Sequence, residues 1–294
     1  MLGDNPANAP TSTDSAANVI EAMRLHYTHA CITTEIGDFK HSLHHFERAK
    51  SCHDQLTAQR HPGLTQMELR NYVGGIANSL NGLGRNNEAE GFYLESLKLG
   101  TPDDIDSPYE VNICRCRWAA GRFKEAGDRL CELIELREKT YGKNDTRNYI
   151  MGHMLYCLGN VRISQNRENE AYALHQRSLD CWLKTYGPEH HKTGDALHKR
   201  GWHEARLGNL DKARKYLERA LGVYKSGSEQ KFRCGEIARS NFKLAMVFKQ
   251  LGGGKKSKDY LDDAEELRKE LQKDDYTPTA NEEVYDGLVS LWAR

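Results

Sequence analysis

The sequence predicts an all-α solenoid built from six helical hairpins, and two observations lead to this prediction. First, the stretch Thr193–Leu221 has the pattern of two antiparallel helices, with small residues where the helices would cross and Gly208-Asn209 at the turn between them. Second, the pattern recurs: turn residues fall at positions 37, 84, 121, 166, 208 and 252, so successive turns are 37 to 47 residues apart. Charged residues cover most of each helix, so a single hairpin needs neighbours to be stable, and the repetition supplies them.

Each predicted hairpin has a small residue on its first helix, a turn residue, and a second small residue on the helix that follows. In chain order the six hairpins are marked by Ala30, Gly37 and Ala49; Ala77, Gly84 and Ala89; Cys114, Gly121 and Ala126; Gly159, Asn166 and Ala171; Gly201, Gly208 and Ala213; and Ala245, Gly252 and Ala264.

The two ends of the chain depart from this pattern. Residues 1–18 are rich in Asn, Ala, Ser, Thr and Pro and predict a flexible tail, with Asp14 or Ser15 as the cap of the first helix. The solenoid then spans residues 19–272. In residues 273–294, a polar break is followed by Asn281–Ala293, which predicts a short helix with Val284, Leu288, Leu291 and Trp292 on one side. We expect it to cap the bare apolar face at the end of the solenoid, and the alternative is a partner-binding tail.

Composition limits the classes of function. The 294 residues include 42 Lys and Arg and 42 Asp and Glu, so a zero formal charge gives no support for nucleic-acid or membrane binding. Eight cysteines are too few for a disulfide scaffold and are expected to be reduced core residues. No leader and no apolar run of 18 residues is present, so we expect a cytoplasmic protein, with the nucleus as the alternative.

The repeat resembles the tetratricopeptide repeat. It has a small residue at repeat position 8, Gly or Asn at 15, an aromatic near 17, and small residues at 20 and 27. Two KTYG linkers, at Lys139–Gly142 and Lys184–Gly187, resemble the long-period kinesin-light-chain type. Repeats four to six, with LHQRSL, KTYGPEHHKT and YDGLVSLWAR, are similar to the repeat region of fungal NOD-like receptor proteins. The departures are Asn86, where the turn aromatic is expected, and Asn166, where glycine is expected. The resemblance covers roughly residues 20–294 and implies a right-handed superhelix.

One glycine-rich stretch invites a phosphate-loop interpretation, which fails. The stretch is Gly252–Ser257. Position 249, where the motif requires its first glycine, is a lysine, and Lys256 separates Lys255 from Ser257. The stretch also lies at a predicted helix–helix turn instead of following a strand. We therefore expect a repeat turn here and no nucleotide cofactor.

The histidines and cysteines do not assemble a catalytic or metal site. His41 and His45 have the helical spacing of a zinc-chelating pair, but no third ligand is evident. The HEARL sequence at His203 lacks the second histidine of a zinc-protease motif, and Cys114 and Cys116 are too close in sequence for a redox dithiol. We expect no catalytic residues, no metal and no cofactor.

The resemblance implies that positions 2, 5, 9 and 12 of each first helix line a concave groove. These positions are basic and aromatic although the whole chain is neutral. The candidate binding residues are Arg24, Asn78, Asn112, Arg115, His153, Tyr156, Asn160, His198, Lys199, Trp202, Arg239, Phe242 and Lys243, with Tyr27 and Trp118 beside them. For Trp118, Tyr156 and Phe242 the alternative is that the rings simply fill helix interfaces.

This groove predicts a non-catalytic protein-interaction scaffold that binds an acidic or mixed-polarity peptide segment. Arg115, Asn160 and Trp202 are expected to make backbone and anchor contacts, and Arg239 and Lys243 to meet acidic side chains. One alternative is a small-molecule-binding protein or enzyme of a fungal specialised pathway, with a polar and aromatic pocket lined by His153, Tyr156, His198 and Trp202. A further alternative is the ligand-sensing module of a receptor that acts in trans.

Overall fold

The computed structural model of the chain describes residues 15–101, 104–226, 230–278, 281–290 and 293–294. Within those ranges the regular structure is helical, with no strand, which confirms the predicted all-α class. Searching the same ranges for a helix with an apolar stretch long enough to cross a membrane finds none. By its internal contacts the chain divides into two compact units, residues 1–120 and 121–294, which we call unit 1 and unit 2.

The described residues of unit 1 form five α-helices. They are α1 (Ala16–Glu35), α2 (Phe39–Ala58), α3 (Gln66–Gly82), α4 (Asn86–Lys98) and α5 (Pro108–Ala119). The pairs α1–α2 and α3–α4 pack as hairpins, α2 packs on α3, and α4 packs on α5. The predicted small residue Ala30 is buried in one core with Phe46, Ile76, Leu80 and Tyr93.

Unit 2 contains eight helices within its described residues. They are α6 (Phe123–Tyr141), α7 (Ile150–Ser164), α8 (Glu168–Thr185), α9 (His191–Arg206), α10 (Leu210–Lys225), α11 (Cys234–Gln250), α12 (Gly254–Gln272) and α13 (Glu282–Asp286). The pairs α7–α8, α9–α10 and α11–α12 form hairpins, and each hairpin packs on the next. The third predicted hairpin is divided between the units, since α5 belongs to unit 1 and α6 to unit 2.

The six predicted turn residues all have a left-handed backbone. Gly37, Gly84, Gly121, Gly208 and Gly252 have φ between 76° and 80°, and Asn166 has φ of 59°. Glycine carries no Cβ penalty in this region, and asparagine is one of the few other residues that tolerates it. The turns also close by a main-chain hydrogen bond typical of helix ends, as from the Asn209 N–H to the Glu204 carbonyl oxygen at 2.9 Å. The predicted period therefore marks real hairpin turns.

The N-terminal boundary differs slightly from the prediction. Residues 1–14 of the predicted flexible tail, with the candidate cap Asp14, lie outside the described residues. Helix α1 starts at Ala16, three residues before the predicted limit of the solenoid, because the Ser15 hydroxyl accepts a hydrogen bond from the Asn18 N–H and caps the helix there.

The C-terminal segment, by which we mean the described residues 281–290 and 293–294, corrects the prediction of one helix over Asn281–Ala293. Helix α13 has only five residues, capped at its start by the Asn281 side chain, and it ends before Gly287. A turn follows at Gly287 and Leu288, since the Leu288 N–H bonds to the Tyr285 carbonyl oxygen at 3.2 Å. The predicted apolar residues Leu291 and Trp292 lie outside the described residues.

Candidate functional site

The C-terminal segment lies along the first helices of three successive hairpins in unit 2. It meets side chains of α7, α9 and α11 instead of only closing the last hairpin, as the capping prediction would have it. Seven of the candidate binding residues are on the surface that it covers, together with Gly235. We call this surface the docking face: Tyr156, Asn160, Lys199, Trp202, Gly235, Arg239, Phe242 and Lys243.

Glu282, at the start of α13, is held by α9 and α11 together. The Trp202 indole N–H donates a hydrogen bond to its Oε1. The Lys243 ammonium lies 2.6 Å from its Oε2. Burial alone would raise the pKa of the Glu282 carboxyl, but the Lys243 charge and the two hydrogen bonds outweigh it, so the pKa is lowered. The carboxylate is therefore ionised at neutral pH and bound through both oxygens.

Tyr285 provides an aromatic contact between the segment and α11. Its ring stacks on Phe242 with 4.3 Å between centroids and is fully buried in a small cluster with Ala238 and Ala264. The hydroxyl donates to Glu265 Oε1 at 2.7 Å. The Phe242 ring therefore packs against the segment, and the hydroxyl of its partner ring is not left without an acceptor.

The docking face also binds the main chain of the segment. The Tyr156 hydroxyl and Arg239 Nη1 both donate to the Ala293 carbonyl oxygen, at 3.1 and 2.9 Å. Asn160 Nδ2 donates to the Arg294 carbonyl oxygen at 2.8 Å. These three donors come from α7 and α11. They could donate to the carbonyl oxygens of any peptide that placed those oxygens at the same positions.

One glycine allows the segment to come this close. A Cβ atom built at Gly235, near the start of α11, would lie 2.3 Å from the Leu288 carbonyl oxygen. Because that neighbour is backbone and not the end of a flexible side chain, no larger residue fits without moving the segment.

The charges of the docking face and of the segment are opposite. Arg239 Nη1 lies 3.8 Å from Asp286 Oδ1, and Lys199 lies over the ring of Trp202 at 5.6 Å. The pKa of Lys199 is lowered to about 8, chiefly by burial, with Arg239 and Lys243 also lowering it and Asp286 and Glu282 raising it. Three cations are thus gathered on one face, and the acidic residues of the segment offset their repulsion.

The segment does not satisfy every polar group of the face. Asn160 and Arg239 are 5% and 3% exposed. Among the described residues, Asn160 Oδ1 and the Nε and Nη2 groups of Arg239 have no hydrogen-bond partner. A buried donor or acceptor without a partner costs about 1–3 kcal/mol. The face therefore has binding capacity that its own segment leaves unused.

Two candidate residues of unit 2 have other partners. His153 Nε2 is 3.0 Å from the Tyr186 hydroxyl, and its ring packs edge-on against Trp182. His198 Nδ1 is 3.0 Å from the Ser240 hydroxyl. Burial, with the nearby Arg239 charge, lowers the pKa of His198 well below its usual value.

The four residues proposed for the alternative polar and aromatic pocket therefore have different hydrogen-bond partners. Tyr156 and Trp202 meet the C-terminal segment, while the two histidines bond to helix neighbours. A separate cleft of about 450 Å³ lies at α8 and α9 and is lined by other residues, namely Glu168, Asn169, Tyr172, His203, Arg206 and Leu207.

Three candidate residues of unit 1, Asn78, Asn112 and Arg115, are linked by hydrogen bonds. The Tyr93 hydroxyl donates to Asn78 Oδ1 at 2.8 Å, Asn112 Nδ2 donates to the same oxygen at 3.4 Å, and Arg115 Nη1 donates to Asn112 Oδ1 at 2.8 Å. Arg24 is exposed on α1. A peptide-binding role for these residues stays a prediction.

The histidines of the first hairpin pair differently from the predicted spacing. His41 contacts Asp38 at 2.7 Å, and His45 Nδ1 lies 3.0 Å from His26 Nδ1 on α1. In the part of the chain that the structure describes, no three His, Cys, Asp or Glu side chains are placed to hold a metal ion.

The charges of the C-terminal segment are a sequence signal for its contact with the docking face. Glu282 and Asp286 are four residues apart, directly after a polar break, in a chain whose candidate groove is basic. Opposite charges of this kind favour a contact between the C-terminal segment and the groove. Gly235 carries no such signal, because a single glycine near a helix start has many explanations.

Comparison with known proteins agrees with the fold. Residues 151–226 match the family model of the tetratricopeptide repeat. BtubC (BKLC) from P. vanneervenii has a similar structure, with a TM-score of 0.58 and 16% identity over 84% of this chain and 94% of that one. Kinesin light chain nearly identical TPR-like repeats from Podosopora anserina give a TM-score of 0.51 and 16% identity, over 72% of this chain and 100% of that one.

A third similar structure is a Rap protein complexed with Competence and Sporulation Factor, with a TM-score of 0.60 and 12% identity over 91% of this chain and 72% of that one. No curated protein sequence matches this chain. At such identities the likeness is one of fold, and it confirms helical hairpins of the tetratricopeptide type.

Proposed function

We propose that this tetratricopeptide-repeat chain is a non-catalytic protein-interaction scaffold whose docking face binds a peptide segment with acidic residues. One observation carries the proposal: the chain's own C-terminal segment already lies on that face, with Glu282 at Trp202 and Lys243 and with Asp286 beside Arg239. A surface that accepts one acidic peptide segment has the chemistry to accept another.

The face combines two kinds of recognition. Its cations select carboxylates, which gives affinity for acidic peptides and a dependence on salt. Tyr156, Asn160 and Arg239 bind main-chain carbonyl oxygens and therefore do not depend on the side chains of the peptide. The similar fold of the Rap protein in its complex with Competence and Sporulation Factor supports a binding role for such repeats.

The test measures the binding of purified full-length chain to an array of peptides in which each acidic sequence is paired with its Glu→Gln and Asp→Asn counterpart. We expect the bound peptides to be acidic, and their neutral counterparts to bind at least about tenfold more weakly, because each lost charge-assisted contact is worth about 1.5–3 kcal/mol.

A matched pair of variants assigns this binding to the docking face. Arg239→Ala with Lys243→Ala removes two cations of the face, and Lys255→Ala with Lys258→Ala removes two exposed lysines at the start of α12. The first variant should lose the acidic peptides and the second should keep them. Equal binding by the two variants, or a preference for the neutral peptides, would show that the docking face is not the peptide site.

A further inference from the structure

We infer that the C-terminal segment and the partner peptide compete for the docking face, so that the partner must displace the segment to bind. The inference rests on the proposed function and adds to it a built-in regulator. Three features of the segment support it: how it is held, what it leaves unsatisfied, and how it is tethered.

The segment is held from outside the main core of unit 2. That core runs from Tyr156 on α7 to Phe248 on α11, with Leu267 of α12 packed against it, and none of the described residues of the segment belongs to it. The segment contributes Tyr285 to the small cluster around Phe242, with Leu288 packed against it, and Val289 is also buried. Helices α7 to α12 can therefore keep their packing while the segment leaves, which makes its release a local event and not global unfolding.

The segment is also an incomplete ligand. Among the described residues, Asn160 Oδ1 and the Nε and Nη2 nitrogens of Arg239 are buried and have no hydrogen-bond partner. A peptide that brings one more carboxylate to Arg239 would satisfy donors that the segment does not, since a guanidinium can bind a carboxylate through two parallel hydrogen bonds. The partner thus has a means of binding more tightly than the resident segment.

The tether explains why the segment nevertheless holds the site. Only residues 273–281 separate the end of α12 from the start of α13. A short linker of this kind gives an effective concentration in the millimolar range, so a modest intrinsic affinity is enough to keep the face covered. An external peptide of equal intrinsic affinity should bind the wild-type chain weakly, and should bind better once the segment is loosened.

The experiment uses a fluorescein-labelled synthetic peptide with the sequence of residues 281–294 as the probe, and measures its anisotropy against three full-length chains. The first is wild type. The second carries Glu282→Gln and Asp286→Asn, which loosen the segment without changing the docking face. The third is the matched control, Asp262→Asn with Glu266→Gln, which removes two exposed acids with the same spacing on α12.

We expect the loosened chain to bind the probe at least about tenfold more tightly than wild type, and the control to behave as wild type. A probe that carries the same two substitutions should bind each chain more weakly. Circular dichroism and thermal unfolding of each chain show whether the fold is retained.

The outcomes separate the inference from the proposed function. Suppose that the loosened chain and wild type bind the probe equally and that Arg239→Ala with Lys243→Ala weakens this binding. The inferred competition is then wrong, while the proposed peptide binding by the docking face is supported. If neither wild type nor a folded, loosened chain binds the probe, the proposed function fails and the inference fails with it.

Discussion

The indole N–H of Trp202 on α9 donates a hydrogen bond to the carboxylate of Glu282, 80 residues further along the chain. The same carboxylate forms an ion pair with Lys243 on α11. One acidic residue therefore joins two neighbouring hairpins through its two oxygens. This contact fixes the start of the C-terminal segment on the docking face, and the first prediction tests it.

Trp202→Phe keeps an aromatic ring beside Lys199 and removes the N–H donor. Losing a hydrogen bond to a charged group costs about 1.5–3 kcal/mol, so opening of the segment should become about tenfold or more frequent. Hydrogen exchange measured by mass spectrometry should show faster exchange in residues 282–286, with exchange in α10 unchanged. Exchange in α13 at the wild-type rate would mean that Lys243 alone holds Glu282.

Gly235→Ala should release the segment by a steric route. The new Cβ would lie 2.3 Å from the Leu288 carbonyl oxygen, so the backbone of the segment must move away. Alanine is a better helix former than glycine, and α11 itself should not be weakened. We expect faster hydrogen exchange and earlier proteolytic cleavage in the segment. Gly222→Ala on α10, where no atom lies within 4 Å of the added Cβ, is the matched control.

Asn166 tests the hairpin turns. Its φ of 59° is the conformation that glycine adopts at the five equivalent turns. Asn166→Ala removes the short polar side chain whose local hydrogen bonding lets asparagine adopt this left-handed region. The substitution should lower the free energy of unfolding by about 1 kcal/mol. Asn166→Gly should leave stability within about 0.5 kcal/mol of wild type. Chemical denaturation followed by circular dichroism compares the two, and equal effects would mean that the turn relaxes to another conformation.

The ion pair between Arg137 and Asp145 should be essential for unit 2. Arg137 Nε lies 2.6 Å from Asp145 Oδ2, and both side chains are fully buried. Asp145→Asn leaves the guanidinium buried without its counter-charge and should cost about 3–5 kcal/mol. Asp128→Asn removes a carboxylate from an exposed ion pair with Lys124 on α6 and should cost no more than about 1 kcal/mol. Denaturation midpoints of the two variants decide this, and similar midpoints would contradict it.

Acid should weaken unit 2 through its buried histidines. Burial, with the Lys199 and Arg200 charges, lowers the pKa of His203 to about 3, from 6.5 in the unfolded chain. Between these values the unfolded chain binds more protons, so stability falls as the pH falls from about 6.5 towards 3. Each such histidine contributes at most about 1.4 kcal/mol per pH unit.

The variant His203→Gln checks this assignment. Glutamine keeps a nitrogen near the 2.8 Å contact between His203 Nε2 and His175 Nδ1 but cannot take up the proton. Its free energy of unfolding should fall less steeply between pH 6.5 and 4.5 than that of wild type. An unchanged slope in His203→Gln would contradict the prediction.

Much of the hairpin architecture follows from local physics that a sequence displays. The six turns were predictable because Gly208 and its equivalents adopt a backbone conformation that few other residues tolerate. The small residues at helix crossings, such as Ala213 and Ala245, were predictable because a close approach leaves no room for larger ones.

The candidate site was predictable only in part. Arg239 and Asn160 were predicted to bind because buried packing does not require such side chains, Trp202 as an anchor and Lys243 as a cation for acidic side chains. The structure brings the four side chains together against one segment. The spacing of the hairpin turns did not predict that α13 would end after five residues. It also did not predict that the segment would run back over α7 and α9. The contacts with α7 and α9 join residues 80 to 137 positions apart.

By itself the sequence determined the helical hairpins, their turns and the side chains offered by each first helix, since all of these follow from residues close together in the chain. Only the tertiary structure decided which segment covers those side chains. The covering of the docking face depends on the geometry that places Glu282, Tyr285 and the Ala293 carbonyl oxygen opposite Lys243, Phe242 and Arg239 at the same time. A repeat pattern encodes which groups face outward, and long-range complementarity of charge and shape selects their occupant.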